Sequence, residues 1–266
     1  MIEIEGKSVD FISQEWDICV ILDACRYDIF SDLYNDILIG DKKLKKAKTH
    51  CKGTFEWFTN NFDDQDCSDI IYIDPIVMFD NIMPNKSFYK IVRVWKTHWD
   101  YTHGTILPSS MTKVAVSEIM ENPDKRFIIH YHQPHPPYLQ DKFIGIDGAV
   151  DKPEEILKNI GKKRKFNFYQ FFQGRLRKTI GCKNAWYIMS KFGMTPLDYY
   201  GKIYVKYGMD ELYNGYKETL RMSLESLNDV IRNKNGKVVI TADHSKNFDG
   251  SNKNLKNQSV PWLEIT

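Results

Sequence analysis

Short apolar runs rich in β-branched residues recur along the chain, and each gives way to polar residues. Runs of this length and composition are typical of buried strands in a parallel sheet. They predict strands at residues 16–22, 69–74, 126–131 and 237–241. Because side chains alternate across a strand, His130 and Tyr131 should face opposite sides of the sheet, which makes His130 a candidate core histidine.

Apolar residues at spacings of three and four predict helices between these strands. The longest such stripe covers residues 210–232 and stops at 233–236, where asparagine and glycine end the helix. Further helices are predicted at 112–120 and from Thr54 onward. This alternation predicts an α/β fold with a doubly wound, mostly parallel sheet and helices on both faces.

Residues 140–207 do not follow the alternation, and we expect them to form an insertion within a single domain that spans residues 1–266. Between Glu155 and Asp198 there is no acidic residue, and lysines and arginines are interleaved with phenylalanines and tyrosines. Such a segment is either a solvated basic face or a surface for an anionic partner. Candidate partners of residues 158–191 are an anionic small-molecule or head-group substrate, an acidic membrane surface and a nucleic acid.

Composition narrows the class of protein. The 266 residues are 42% hydrophobic and 14% aromatic, which excludes a disordered chain. No run reaches the roughly 18–20 apolar residues that a membrane-spanning helix needs, and the first residues lack the build of a signal peptide. The five cysteines form no CxxC pair and are interpreted as reduced thiols. We therefore expect a cytoplasmic protein without a transmembrane segment.

Polar side chains follow three of the predicted strands at the point where each strand ends. Asp23 follows the first strand. His132 and His135 follow the strand at 126–131, and the pair Asp243-His244 follows the last one. Ligands of open α/β sheets bind beyond the carboxyl ends of the strands, so these side chains are candidates for one site. Carboxylates and imidazoles together suit a divalent cation, although an aspartate after a strand also commonly caps the next helix.

An ordered set of motifs links the chain with a known family. Along the sequence they are Asp23-Ala-Cys-Arg-Tyr-Asp28, Thr54-Phe-Glu-Trp57, His132-Gln-Pro-His-Pro-Pro-Tyr138, Thr241-Ala-Asp-His244 and Val260-Pro-Trp-Leu-Glu264. Together they resemble the alkaline phosphatase/sulfatase-like superfamily, particularly its compact archaeal sulfatase-like members. The resemblance covers residues 16–139 and 208–265 and implies an alkaline-phosphatase-like fold.

The resemblance also implies a metal site and a covalent mechanism. Its metal ligands are Asp23, Thr54, Asp243 and His244, with Thr54 as the nucleophile. Coordination by a cation lowers the pKa of a hydroxyl, so Thr54 would attack phosphorus or sulfur, and water would then hydrolyse the threonine ester. A helix that begins at Thr54 would add backbone N–H groups for the anion under attack. Alternatively, Thr54 is only the N-cap of that helix.

Four residues near these motifs are expected to contact the substrate: Arg26, His132, Gln133 and His135. Arg26 offsets charge on the equatorial oxygens or, alternatively, forms an ion pair with Asp28 or Asp243. His132 and His135 bind substrate oxygens or protonate the leaving group. For His135, which lies between two prolines, structural hydrogen bonding is the alternative.

Departures from the family pattern define the predicted reaction. Two-metal members use a histidine downstream of the Asp-His pair, but no histidine follows His244, and Ser245-Lys246 stands in place of the usual Gly-Glu. One Mn²⁺, Zn²⁺ or Mg²⁺ is therefore expected, and a second metal is disfavoured.

The sulfatase signature Cys/Ser-x-Pro-x-Arg does not occur. We predict a hydrolase or transferase that cleaves a phosphate mono- or diester. The alternatives are a sulfate-ester hydrolase and a non-catalytic member that binds an anionic partner through the basic insertion.

Overall fold

The computed structural model describes residues 2–62, 65–77, 79, 88–146, 152–159, 168–194, 198–234, 236–246 and 259–266. Residues 162–165 carry four of the basic side chains of the predicted insertion. They lie outside the described residues, as do parts of the insertion on either side of them.

The described chain contains a large sheet and a separate pair of short strands. The strands are β1 (Ile2–Ile4), β2 (Lys7–Val9), β3 (Ile18–Asp23), β4 (Lys42–Thr49), β5 (Cys67–Asp74), β6 (Phe88–Arg93), β7 (Trp99–Asp100), β8 (Thr105–Ile106), β9 (Arg126–Pro134), β10 (Val238–Thr241) and β11 (Ser259–Ile265). Nine of them form one sheet in the order β2-β1-β4-β11-β10-β3-β9-β5-β6, and β7 pairs with β8.

The large sheet is mostly parallel in strand direction. Strands β10, β3, β9, β5 and β6 pair parallel with one another. The other four pairings are antiparallel, so that β1 and β11 run against the remaining seven strands. All residues of β3 are buried, as expected for a central strand that is covered on both faces.

Helices connect these strands along the described chain. They are α1 (Tyr27–Ser31), α2 (Tyr34–Ile37), α3 (Thr54–Phe62), α4 (Trp95–His98), α5 (Pro108–Glu121), α6 (Pro153–Asn159), α7 (Phe168–Ile180), α8 (Cys182–Lys191), α9 (Tyr199–Tyr207) and α10 (Met209–Arg232), with a 3₁₀ turn at Asp141–Phe143. The proline at the start of α5 occupies a position where its missing N–H costs nothing.

Neighbouring residues of β9 reveal helices on both faces of the sheet. Tyr131 hydrogen-bonds through its OH to Thr112 Oγ1 of α5 at 2.6 Å. His130 lies on the other side, against the rings of Trp57 and Phe58 of α3. The predicted fold class, an α/β fold with a mostly parallel sheet covered on both faces, is therefore confirmed.

Element boundaries differ from the sequence prediction in α5, which begins at Pro108 rather than at residue 112, and in β9. The apolar run predicted a strand at 126–131, but β9 continues through His132 and Gln133 to Pro134. The extension is possible because the register of β9 against β3 shifts after Leu22, which pairs Asp23 with Pro134. The strand end that carries the predicted histidines is thus held against the end of β3.

The described part of the segment predicted as an insertion consists mainly of helices. It contains α6, α7, α8 and α9, and these described residues include no strand. Trp186 of α8 is buried and packs against Tyr204 of α9, with the two ring centroids 5.6 Å apart. The single-domain organisation and the insertion boundaries stay predictions.

Among the described residues, no helix has both the length and the apolar character that crossing a membrane requires.

Candidate functional site

The candidate site lies at the carboxyl ends of β10, β3 and β9, which are parallel neighbours in the sheet. β3 ends at Asp23, and Asp243 follows the end of β10 by two residues. The backbone N–H of His135, just after β9, donates to the carbonyl of Asp23 at 3.1 Å. Three segments that are distant in the sequence therefore meet at one edge.

Asp243 is the fully buried centre of this cluster. Its Oδ2 accepts a 2.6 Å hydrogen bond from Thr54 Oγ1, and its Oδ1 accepts from the backbone N–H groups of Ala24 (3.0 Å) and His244 (2.8 Å). Burial raises the pKa of Asp243 to about 6, and the carboxylate of Asp23 adds to the rise, while His244 opposes it. Two desolvated carboxylates side by side attract a positive charge.

Thr54 begins α3 and directs its hydroxyl at this carboxylate. The loop that brings it there is tied to the cluster, because Thr49 Oγ1 at the end of β4 donates to the carbonyl of Asp243 at 3.1 Å. Glu56 Oε2 accepts from the backbone N–H of Lys52 at 2.8 Å and closes the first turn of the helix. The hydroxyl and the N-terminal end of α3 are thus presented at the same point.

His244 and Asp23 complete the predicted ligand set. His244 Nε2 lies 3.3 Å from Asp23 Oδ1 and 3.7 Å from Asp243 Oδ2. Its Nδ1 lies 3.2 Å from the carbonyl of Ser245, which can only accept, so Nδ1 carries a proton. Burial lowers the pKa of His244, but the two carboxylates outweigh burial and raise it to about 9. The two carboxylates therefore favour a positive charge at the place where His244 Nε2 lies.

The pKa of Asp23 shifts in the opposite direction from that of Asp243. Burial would raise it, but the imidazoles of His135, His244 and His132 hold the pKa of Asp23 well below its usual range. Asp23 therefore stays ionised to a lower pH than Asp243 does.

His132 and His135 stand beside Asp23. Their ring centroids are 4.9 Å apart, and His132 Nδ1 lies 3.8 Å from Asp23 Oδ2. The carbonyl of Pro136 lies 3.2 Å from His132 Nε2 and 2.8 Å from His135 Nδ1. Burial lowers the pKa of His135 to about 4, so that its ring is neutral near pH 7. One ligand atom from each of Asp23, His132 and His135 falls within a 4.8 Å cluster, which is close enough to hold a cation.

His130, which the sequence predicts to be a core histidine, is also a candidate metal ligand. It is fully buried, and its Nδ1 lies 2.7 Å from Tyr72 OH. A ring nitrogen lies within 4.8 Å of carboxylate oxygens of Asp23 and Asp243, and Nε2 has no hydrogen-bond partner in the described part of the chain. Strand alternation predicted which face His130 occupies but not its distance from the two aspartates.

A buried tyrosine of α10 holds the turn after Asp23. Tyr216 OH donates to the carbonyl of Ala24 at 2.9 Å and accepts from the backbone N–H of Arg26 at 2.8 Å. Ala24 has φ 62°, in the left-handed region that is uncommon for a residue with a Cβ. Its N–H reaches Asp243 from this conformation, so the strained turn supports the cluster directly. In the sequence, Tyr216 is only one member of an apolar helical stripe.

Arg26 and Gln133, both predicted to bind substrate, make contacts of another kind here. Arg26 Nε donates to Asp28 Oδ1 at 2.9 Å, and the two side chains form an ion pair. This is one of the two ion pairs that the sequence suggested for Arg26. Gln133 is fully buried and donates from Nε2 to the carbonyl of Ile106 at 2.9 Å. Substrate contact by either residue stays a prediction.

The chemistry of the donor set fits a divalent cation. Asp23 Oδ1 is buried and makes no hydrogen bond of good geometry within the described residues, although His244 Nε2 lies near it. Carboxylate and hydroxyl oxygens combined with imidazole nitrogen are the ligands that Zn²⁺ and Mn²⁺ accept. Asp23, Thr54, Asp243 and His244 are the residues that would hold the ion.

Comparisons with known proteins give matches in structure alone. No family model matches the chain, and no curated protein matches its sequence. One similar structure is the integral membrane protein lipooligosaccharide phosphoethanolamine transferase A (EptA) from Neisseria meningitidis, with a TM-score of 0.46 and 11% identity over 93% of this chain and 47% of that chain. This chain thus spans about half the length of that protein.

Two further structures are similar at the same level. One is the C-terminal periplasmic domain of EptC from Escherichia coli in complex with Zn, with a TM-score of 0.42 and 11% identity over 94% of this chain and 72% of that one. The other is a protein in the alkaline phosphatase superfamily from Vibrio parahaemolyticus, with a TM-score of 0.41 and 12% identity over 93% and 59% of the two chains. These are distant likenesses of fold.

Proposed function

We propose that this protein is a metal-dependent hydrolase or transferase that cleaves a phosphate mono- or diester, with Thr54 as the nucleophile. The observation that carries the proposal is the 2.6 Å hydrogen bond from Thr54 Oγ1 to Asp243 Oδ2, at a point where Asp23 and His244 also converge. A threonine that served only as an N-cap would not need two buried carboxylates and an imidazole beside its hydroxyl.

A divalent cation held by Asp23, Thr54, Asp243 and His244 would lower the pKa of the hydroxyl and offset negative charge on the phosphoryl oxygens. We expect one cation per chain, as the sequence predicts. A measured stoichiometry of two would assign the second ion to the group formed by Asp23, His132 and His135, whose ligand atoms lie within 4.8 Å of one another.

The chain's own residues account for the proton and bond changes of the proposed reaction. Asp243 Oδ2 is the acceptor placed to take the hydroxyl proton as Thr54 Oγ1 attacks phosphorus. The Oγ1–P bond forms while the bond from phosphorus to the leaving-group oxygen breaks, and His132 supplies the proton that this oxygen takes up. His135, whose ring is neutral near pH 7, is placed to bind a substrate oxygen instead. Water or an acceptor alcohol then displaces Thr54 from phosphorus: the incoming hydroxyl gives its proton to His132, and Asp243 returns its proton to Thr54 Oγ1. The N-terminal end of α3 faces the anion throughout.

A chromogenic substrate panel with added Mn²⁺, Zn²⁺ or Mg²⁺ tests this reaction class. We expect metal-dependent turnover of a phosphomonoester or phosphodiester and much slower turnover of the matched sulfate ester. A preference for the sulfate ester would favour the sulfatase alternative. Absence of metal-dependent turnover across the panel would contradict the proposal and favour a non-catalytic protein that binds an anionic partner.

A reducing, cytoplasmic location is part of the same proposal. All five cysteines are free thiols, and four of them are buried. Burial raises the pKa of Cys25, which lies two residues after Asp23, far above its usual range, so this thiol is not a competing nucleophile.

We further propose that the helices α7 and α8 present a surface to an anionic membrane. This basic aromatic surface consists of Phe171, Phe172, Arg175, Lys178, Lys183, Tyr187, Ile188, Lys191 and Phe192, all exposed. Phe192 has the largest exposed fraction among the large apolar side chains of the described chain, at 78%. Basic side chains mixed with exposed aromatic ones are typical of helices that lie in the headgroup region of a bilayer.

Sedimentation with lipid vesicles tests the basic aromatic surface. We expect binding to vesicles that contain phosphatidylserine, little binding to phosphatidylcholine vesicles, and weaker binding as salt rises. Phe192→Ser should reduce the bound fraction severalfold, whereas Met120→Ser, an exposed apolar residue on α5, should not. Equal binding of both variants would contradict the assignment, and salt-dependent binding of an oligonucleotide without vesicle binding would identify a nucleic acid as the partner.

A further inference from the structure

A cavity of about 180 Å³ opens beside the carboxylate cluster. Three polar residues line it at one end: Asp23, Thr54 and His132. The described side chains along the rest of the wall are apolar except Thr105: Pro75, Ile76, Val77, Trp99, Ile106 and Ile156. The cavity therefore joins the proposed nucleophile to an apolar compartment.

Hydrogen bonds to the backbone of its segments fix the apolar wall in place. The backbone N–H of Ile76 donates to Asp74 Oδ1 at 2.7 Å and forms a tight turn at the end of β5. Trp99 and Ile106 are paired across the β7–β8 ladder, and buried Gln133 donates to the carbonyl of Ile106 at 2.9 Å. These contacts are made within the chain and hold the shape of the compartment, so that its shape can select a ligand.

The size and charge of the compartment restrict what it can accept. Apolar cavities of about 150 Å³ bind benzene, so a space of about 180 Å³ accepts a group the size of one aromatic ring. Among the described lining residues there is no lysine or arginine, and Asp23 is an anion at its polar end. A second phosphate or a carboxylate on the substrate would find no counter-charge in this wall.

From this arrangement we propose that the substrate carries, next to its reacting phosphate, an apolar group of about the size of a benzene ring. The inference rests on the proposed phosphoester chemistry and specifies its substrate class. The phosphoryl group meets Thr54 and the cation ligands, and the apolar group lies against Ile76, Trp99, Ile106 and Ile156. Gln133 then acts as a positioning residue, since it holds the β8 segment of the wall.

Calorimetric binding of three non-hydrolysable probes tests the proposal without relying on turnover. Methylphosphonate and phenylphosphonate share the anionic group and differ only in the apolar part. With the metal-loaded protein, we expect phenylphosphonate to bind about tenfold more tightly or better, as follows from burying most of an aromatic ring. The bicyclic 1-naphthylphosphonate, which exceeds the cavity, should lose this gain.

Variants of the wall locate the effect. Ile76→Ser and Ile156→Ser change half-buried side chains of the wall and should reduce the phenyl-to-methyl affinity ratio severalfold while leaving methylphosphonate binding unchanged. Val114→Ser, a half-buried position on α5 outside the cavity lining, is the matched control and should keep the full ratio.

The outcomes separate this inference from the proposed function. Equal affinity for the methyl and phenyl probes, or a ratio that survives both wall variants, would overturn the apolar compartment and leave the phosphoester chemistry standing. A clear phenyl preference in a protein that turns over no phosphoester would support the compartment and count against catalysis. Failure of all three phosphonates to bind would overturn both.

Discussion

Replacing Thr54 by alanine is expected to lower metal-dependent phosphoester turnover by at least about a thousandfold, the scale of loss when a covalent nucleophile is removed. The reason is geometric: Thr54 Oγ1 is the hydroxyl that lies 2.6 Å from Asp243 Oδ2, at the polar end of the cavity. The measurement is steady-state kinetics on the best substrate of the panel, with wild type and variant loaded with the same metal.

Two further variants make the Thr54 result specific. Thr54→Ser keeps a hydroxyl and should retain a substantial part of the activity. Thr59→Ala removes a half-buried threonine of the same helix, whose Oγ1 donates to the carbonyl of Glu56 at 3.1 Å, and should leave turnover within a few-fold of wild type. Turnover that persists in Thr54→Ala would contradict the covalent mechanism and point to direct attack by an activated water.

Asp243→Asn is expected to reduce metal affinity by about a hundredfold or more, since changing even a residue that only orients a metal ligand costs about 10–100-fold in affinity. Asp243 accepts from Thr54 and from the N–H groups of Ala24 and His244. An amide in its place carries less charge and turns an N–H₂ group toward some of these donors. Turnover should fall to background, and metal content measured by atomic emission should fall with it.

Thermal unfolding provides a second readout for Asp243→Asn. A ligand present at a hundred times its Kd stabilises a folded protein by about 2.7 kcal/mol, so added metal should raise the Tm of the wild type. The variant should lack this shift. Glu118→Gln is the control: it neutralises a buried carboxylate of α5 that pairs with Lys90 at 2.7 Å, away from the cluster, and should keep the metal-induced shift. A full shift in Asp243→Asn would mean that the cation binds elsewhere.

The sequence was sufficient for the features that depend on local pattern. Apolar β-rich runs predicted β3, β5 and β10 to within two residues, and the stripe of leucines predicted α10. Parallel neighbours place their carboxyl ends at one edge, so the polar residues after these strands could be assigned to a common site before any distance was known. Asp23, Thr54, Asp243 and His244 do come together there.

The features that depend on contacts between distant segments could not be predicted in this way. The sequence pattern predicts that His130 is a core residue. Its proximity to Asp23 and Asp243 depends on the register of β9 against β3. Tyr216 reads as one more apolar residue of a helix, yet its OH holds the turn at Ala24. Substrate contact by Gln133 stays a prediction, but the sequence did not predict that β9 continues to Pro134 and that the Gln133 amide donates to the carbonyl of Ile106.

What the sequence by itself determined is therefore the fold class and the common edge of Asp23, Asp243 and His244, because periodicity and strand-end position are local properties of the chain. Thr54 was added by the family resemblance, and metal binding by these four residues stays a prediction. What only the tertiary structure decided is the surroundings of that site: the direction of the Thr54 hydroxyl, the partner of Arg26 and the apolar compartment. These depend on which side chains from remote segments come within a few ångströms of one another. Hydrophobic pattern restricts the face on which a side chain lies, but packing and hydrogen-bond geometry choose its neighbours.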